Sequence, residues 1–232
     1  MKEKEDNIKK KSFDLIKTYL LIYNLTQFIC WLTILLRLLD HDYNILKGEN
    51  SSLYQNIIWP ITITHLLANL EIIHAITNIV PSNLRVTLMQ IFLRMYIACI
   101  ISHVAQYGIG FAMVIHAWTF ADLIRYSYYT LYIMKIAPYF VRWLRYSVFV
   151  VAYPLGAVGE HFCLFAAHMH VMRFGPWNVR IANTDIILLH KYILYILWVI
   201  SAPMLLHLYM HMLKQRKKVL GRQSFTDCAK HK

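Results

Sequence analysis

The chain has 232 residues, of which 58% are apolar and only 16% charged, against about 25% charged in an average soluble domain. Its formal net charge of +12 is concentrated in the two tails and one loop, the pattern of charges that flank membrane spans rather than line a nucleic-acid groove. An ordinary soluble domain is excluded, and nucleic acid is not an expected partner.

The opening, MKEKEDNIKKK, is too long and too mixed in charge for a signal-peptide head, and no small-residue cleavage site follows the first apolar run. That run is therefore read as a retained span. A span takes roughly 20 mostly apolar residues. The first is 19–39, interrupted by Asn24, Gln27 and Arg37 and followed by polar DHDYNILKGENSS. The second, 57–80, carries Glu71 and His74 and stops at Pro81 and Ser82. The third, 84–105, carries Arg94, and a short turn over 106–110 leads to the fourth, 111–134, with Asp122 and Arg125. The fifth is 143–171; the polar RFGPWNVRIANTD separates it from the sixth, 186–213. The expected fold is an all-α membrane protein, a bundle of six transmembrane helices over 18–213, between basic tails at 1–17 and 214–232. No repeat at a fixed period and no second domain are visible.

Six spans bring both termini to one side. The lysines of the N-terminal tail, then Lys135, Arg142 and Arg145, then Lys214, Arg216, Lys217 and Lys218 all fall on that side. The positive-inside rule makes it the cytosol. Arg173 and Arg180 dissent in the fifth loop.

Ionisable groups at membrane depth are costly unless they are paired or face water, and so mark candidate sites. Glu71 with His74, and Asp122 with Arg125, are spaced i, i+3 and share helix faces; Asp122 and Arg125 are expected to pair on their own helix. Interhelical ion pairs are the plain reading for Glu71 and Arg94. Tyrosines such as Tyr128, Tyr132 and Tyr139 read as interfacial anchors, whereas Tyr126 and Tyr129 lie beside the charged positions. Cys30, Cys99, Cys163 and Cys228 share no metal-type spacing, and those in apolar runs read as small buried hydrophobes. His207 and His211 form HxxxH, but no companion box occurs, so no metal is expected.

The stretch 146–160, YSVFVVAYPLGAVGE, is apolar until it ends on Glu160. Glu160 has no basic residue three or four positions away. Tyr153 precedes it by seven residues, almost two helical turns, which puts both side chains on one face about 10 Å apart. Pro154, Gly156 and Gly159 are expected to let the helix kink and a ligand approach its backbone.

YPLGAVGE at 153–160 resembles the signature of the very-long-chain 3-hydroxyacyl-CoA dehydratases, also called protein tyrosine phosphatase-like membrane proteins. The resemblance runs in order over about 18–220: YLLIYNLTQFICWL at 19–32, LEIIHAITNIVPS at 70–82, Arg94, AWTFADLIRYSYYT at 117–130, PYFVRWLRYSVFVVAYP at 138–154 and LYMHMLKQRKKVL at 208–220. Asp122 stands where that family usually has Glu, Cys30 where Gly is common, and the segment after Glu160 is richer in histidine. The resemblance implies an endoplasmic reticulum membrane enzyme with cytosolic termini. It implies the third step of fatty-acid elongation, loss of water from a long-chain or very-long-chain 3-hydroxyacyl-CoA to give a trans-2-enoyl-CoA, alongside an elongase and reductases and among membrane lipids. The family's catalytic Tyr and Glu fall on Tyr153 and Glu160.

The chemistry suits those side chains. Dehydration needs a base for the C2 proton and an acid for the C3 hydroxyl. A carboxylate held from water is a competent base near neutral pH, and a phenol can donate to the departing oxygen; the reverse assignment stays open. No cofactor is required. Backbone amides near Gly156 and Gly159 are expected donors to the thioester oxygen. Arg125, Tyr126, Tyr129 and Gly156 are further candidates to line the substrate site, and Arg142 and Arg145 are placed to meet the CoA phosphates. A non-catalytic scaffold for elongation proteins would not need both Tyr153 and Glu160. A transporter would often show an internal repeat.

Overall fold

The computed structural model describes the backbone of residues 2–230 apart from 50, 107, 176–177, 182–183 and 188–189, and the side chains of 14–217 apart from 50, 107, 176–193 and 204. Helix α1 is Lys2–Leu46, longer at both ends than the predicted 19–39. No proline or glycine interrupts it, so nothing stops the helix until Gly48, which takes a left-handed φ of 81°. The second predicted span comes as two helices, α2 (Leu53–Ala68) and α3 (Leu70–Ile76), and ends before residue 80. At the junction the Asn69 amide donates to the carbonyls of His65 and Leu66, both at 3.1 Å, which satisfies backbone acceptors where the helix breaks.

Asn83 caps α4 (Leu84–Tyr96), its side chain accepting from the Arg85 amide at 3.2 Å. A π-helical turn, Ile97–Ile101, carries the chain into the short α5 (Ser102–Ala105). Then follow α6 (Ile109–Ile133), α7 (Tyr139–Ser147) and α8 (Phe149–Phe174). The loop after α8 holds an antiparallel hairpin, β1 (Asn178–Ile181) and β2 (Thr184–Ile187), ahead of α9 (His190–Lys230). The sixth predicted span therefore begins too early, because residues 184–187 are committed to the hairpin.

Pro154 does not break its helix either. The fifth span comes as two helices, α7 and α8, that meet at Val148, and α8 runs through Pro154. Proline withholds the amide that the Val150 carbonyl would accept, and the Tyr209 hydroxyl from α9 donates to that carbonyl at 3.3 Å. The same device recurs at Pro60 inside α2, where Arg37 Nη1 of α1 donates to the Asn56 carbonyl at 2.7 Å. Arg37, an interruption in the first apolar run, is thus spent on a proline-orphaned carbonyl.

Among the described residues, five stretches are long and apolar enough to cross a membrane: Asp14–Leu46, Leu53–Ile76, Leu84–Ala105, Tyr139–Phe174 and Leu194–Lys217. Helix α6 is not among them, although its 25 residues rise about 37 Å. It is the centre of the bundle, packed most extensively on α8 and α1, so its side chains meet protein on most sides. Where α6 crosses α8 the backbones nearly touch. A Cβ on Gly159 would lie 2.9 Å from the Gly110 carbonyl oxygen, and one on Gly110 would lie 2.6 Å from Phe162 Cβ. Small residues permit this approach.

Candidate active site

A cavity of about 840 Å³ runs into the bundle between α1, α2, α4, α6, α8 and α9. Ser82, Asn83, Tyr132, Arg145 and Gln215 line one end, and Trp31, Thr64, His65 and Glu160 line the other. From Arg145 to Glu160 is 15 residues along α7 and α8, about 20 Å of helix. Tyr153 lies between them on the same wall, two turns short of Glu160.

Glu160 is 6% exposed. Its Oε1 accepts from the Trp118 indole Nε1 at 3.0 Å, and its Oε2 is buried with no partner among the described residues. Trp118, itself buried on α6, is held by α8 on one side and by the Arg94 guanidinium, 5.1 Å over its ring, on another. A carboxylate oxygen without a donor, buried against a cavity, is an acceptor with nothing to accept. The Tyr153 hydroxyl donates to the Leu205 carbonyl of α9 at 3.0 Å, and its ring stacks on Tyr209 at 5.7 Å between centroids. The wall therefore carries a free acceptor and, two turns away, a phenol acting as donor.

Further ionisable groups on the cavity wall form a bonded network. Arg94 of α4 pairs with Asp122 of α6, and Arg125 of α6 pairs with Glu71 of α3. The expected pair within α6, Arg125 with Asp122, is the looser contact at 3.7 Å. Each charge takes its principal partner from another helix because those helices reach the centre of the bundle, whereas an i, i+3 pair must bend two side chains toward each other along one surface. Tyr126 donates to Glu71 at 2.6 Å, Tyr23 at 3.3 Å, and Arg125 donates to the Tyr126 hydroxyl at 2.8 Å. His74 meets the Tyr19 hydroxyl at 2.8 Å.

Of the residues singled out in the sequence, Tyr153, Glu160, Arg125, Tyr126, Tyr129, Gly156 and Arg145 all line this cavity, and Arg142 does not. Arg125 and Tyr126 are engaged with Glu71, while Arg145 stands at the open end with its Nη2 donating to the Tyr129 hydroxyl at 3.3 Å. The backbone amides near Gly156 and Gly159 are not available as donors to a thioester oxygen. They lie inside an unbroken helix, where they serve the helix's own carbonyls, and Gly159 is pressed on α6. A Cβ on Gly156 would sit 3.4 Å from Ala117, so that glycine also serves helix packing. Sequence reasoning missed Trp118, Leu205 and His65. Their roles depend on contacts across helices, and only the position of Trp118 in the AWTFADLIRYSYYT block gave any signal.

The chain matches the family model described as protein tyrosine phosphatase-like protein, PTPLA, over residues 65–222. It is 31% identical over 223 residues to very-long-chain (3R)-3-hydroxyacyl-CoA dehydratase 1 of Canis lupus familiaris, covering 94% of this chain and 89% of the relative. It is 34% identical over 211 residues to dehydratase 2 of Homo sapiens, with 89% and 82% covered. A Caenorhabditis elegans very-long-chain (3R)-3-hydroxyacyl-CoA dehydratase is likewise 34% identical, with 89% and 96% covered. No solved structure matches the chain.

Proposed function

The chain belongs to the protein tyrosine phosphatase-like family and is a very-long-chain 3-hydroxyacyl-CoA dehydratase, a hydro-lyase, and we propose that Glu160 and Tyr153 carry its chemistry. The observation behind this is the orphaned Oε2 of Glu160 on the wall of the deep cavity, with the Tyr153 phenol on the same wall. Glu160 takes the proton from C2, and the C–H electrons become the C2–C3 double bond. The C3–O bond breaks and the oxygen leaves as water with the phenol proton of Tyr153. The proton on Glu160 returns to the phenolate to close the cycle. A free acceptor and a phenol already acting as a donor favour this assignment over its reverse. Trp118 fixes the carboxylate through its other oxygen. Tyr153 must turn from the Leu205 carbonyl to the substrate oxygen, an exchange of one hydrogen bond for another.

The acyl-CoA enters with its phosphates toward Arg145, and the thioester reaches Glu160 about 20 Å inside. In this reading α6 is the sixth span, tolerated in the membrane because other helices cover its polar residues. Both termini and the cavity mouth then face the cytosol, in the endoplasmic reticulum membrane. The product serves fatty-acid elongation, beside an elongase and reductases. Purified protein in detergent, given a long-chain (3R)-3-hydroxyacyl-CoA, should form the trans-2-enoyl-CoA, and Glu160→Gln should not. Unchanged turnover in Glu160→Gln would move the base elsewhere. Glycosylation acceptors inserted at either end should stay unmodified; modification there would refute the topology.

A further inference from the structure

The cavity holds a second orphaned acceptor. His65 is 3% exposed, stands in the last turn of α2 and lines the same deep end as Glu160. Its Nδ1 lies 2.8 Å from the Ile61 carbonyl oxygen. A carbonyl can only accept, so Nδ1 carries the hydrogen, and in the neutral ring Nε2 holds a lone pair. That Nε2 is buried with no partner among the described residues. The ring cannot easily turn away to find one. Trp31 of α1 packs against it at 5.8 Å between centroids and Trp118 of α6 at 5.1 Å. The Trp118 indole thus lies against both orphan groups, donating to Glu160 through its nitrogen and packing on His65 through its ring.

Building on the dehydratase reading, we propose that His65 Nε2 accepts a hydrogen bond from the C3 hydroxyl of the substrate and holds the water that leaves. The substrate carries few groups that can donate to such an atom. Along the reacting carbons, the C3 hydroxyl is the only O–H, since the thioester offers acceptors alone. Loss of water needs a donor to the hydroxyl oxygen, which Tyr153 supplies; an acceptor for the hydroxyl's own hydrogen, which His65 supplies, orients that oxygen toward the donor. With Glu160 at C2, these contacts hold two of the four groups on C3, the hydroxyl and the C2 carbon. A site built to bond a hydroxyl discriminates strongly against an analogue lacking it, because the buried acceptor is then left unpaired.

The test uses the full-length protein in detergent. For His65→Leu, kcat/KM for the (3R)-3-hydroxyacyl-CoA should fall at least tenfold. The inhibition constant of the saturated acyl-CoA of equal length, which has no hydroxyl, should stay within about twofold. His65→Gln, which keeps a hydrogen-bonding side chain of similar reach, should recover most of the loss. Parallel losses for both ligands, or no loss for either, would overturn the proposal. If His65→Leu does not fold, Tyr153→Phe protein carries the test, since without the Tyr153 phenol no donor separates oxygen from fluorine. It should bind the 3-hydroxyacyl-CoA at least tenfold tighter than the 3-fluoroacyl-CoA, whose fluorine cannot donate, and equal affinities would overturn the proposal. Failure of the unmutated chain to dehydrate any 3-hydroxyacyl-CoA would instead overturn the dehydratase reading on which this rests.

Discussion

Two groups of polar side chains lie within the bundle, and they are built on opposite terms. In the network of Glu71, Arg125, Asp122 and Arg94 every charge touches an opposite charge, and tyrosines fill further bonding positions. At the deep end of the cavity, Glu160 and His65 each have one atom bonded and one atom left over. An unmet buried polar atom costs about 1–3 kcal/mol. A fold keeps two such atoms together in one cavity where a ligand completes their bonding. The rule that intramembrane charges mark sites points equally at both groups; the network's own unmet atom is the Arg125 Nε donor, so a free acceptor is what separates them.

The comparison breaks first, and most heavily, at the network. Asp122→Ala leaves the partly exposed Arg94 without its ion-pair partner and should cost about 3 kcal/mol, the low end for a buried pair, read as a loss of folded yield and a lower midpoint in a thermal melt. Replacing both Asp122 and Arg94 by Leu should restore much of it. A well-expressed but inactive Asp122→Ala protein would instead move this residue into the active site.

The cavity should respond the other way. Glu160→Gln and Tyr153→Phe should fold and bind acyl-CoA nearly as the unmutated chain does, yet lose about a hundredfold or more in turnover. The double variant should be barely worse than the poorer single one, since both groups act on one transition state. Losses that multiply would show that the two residues act in separate steps.

A smaller effect sharpens the boundary between the two groups. Trp118→Phe keeps an aromatic ring beside Arg94 and His65 but removes the donor to Glu160 Oε1. With the carboxylate less well oriented, kcat should fall about tenfold while KM changes little, in line with about 1.5 kcal/mol for a hydrogen bond to a charged group. A rise in KM alone would make Trp118 a wall of the binding site and not an orienter of the base.

The smallest effect concerns the helix that carries the pair. Tyr209→Phe removes the donor to the Val150 carbonyl and should lower stability by about 1 kcal/mol. In a Pro154→Ala background the same change should cost close to nothing, because the alanine amide then supplies the bond. An equal cost in both backgrounds would show that the Tyr209 hydroxyl matters for something other than the Val150 carbonyl.

The sequence by itself determined the class of protein, since long runs of apolar residues can only be buried in one another or in lipid. It also determined the Tyr153 and Glu160 pair, because a seven-residue spacing on a helix places two side chains on one face whatever surrounds them. The tertiary structure decided everything that depends on which helix lies beside which. It gave Asp122 to Arg94 and Arg125 to Glu71 in place of the local pair, and made α6 the covered centre of the bundle. It carried α8 through Pro154 as one helix, with Tyr209 donating to the orphaned carbonyl, and set the join of α7 and α8 at Val148. It turned Gly159 from a suspected opening for substrate into the crossing point of α6 and α8. It also brought His65, invisible as one histidine among twelve, to the same cavity as Glu160. Spacing along a helix is set by the backbone and can be read from one sequence. The partner of a side chain on a neighbouring helix is set by packing, which a single chain of letters does not contain.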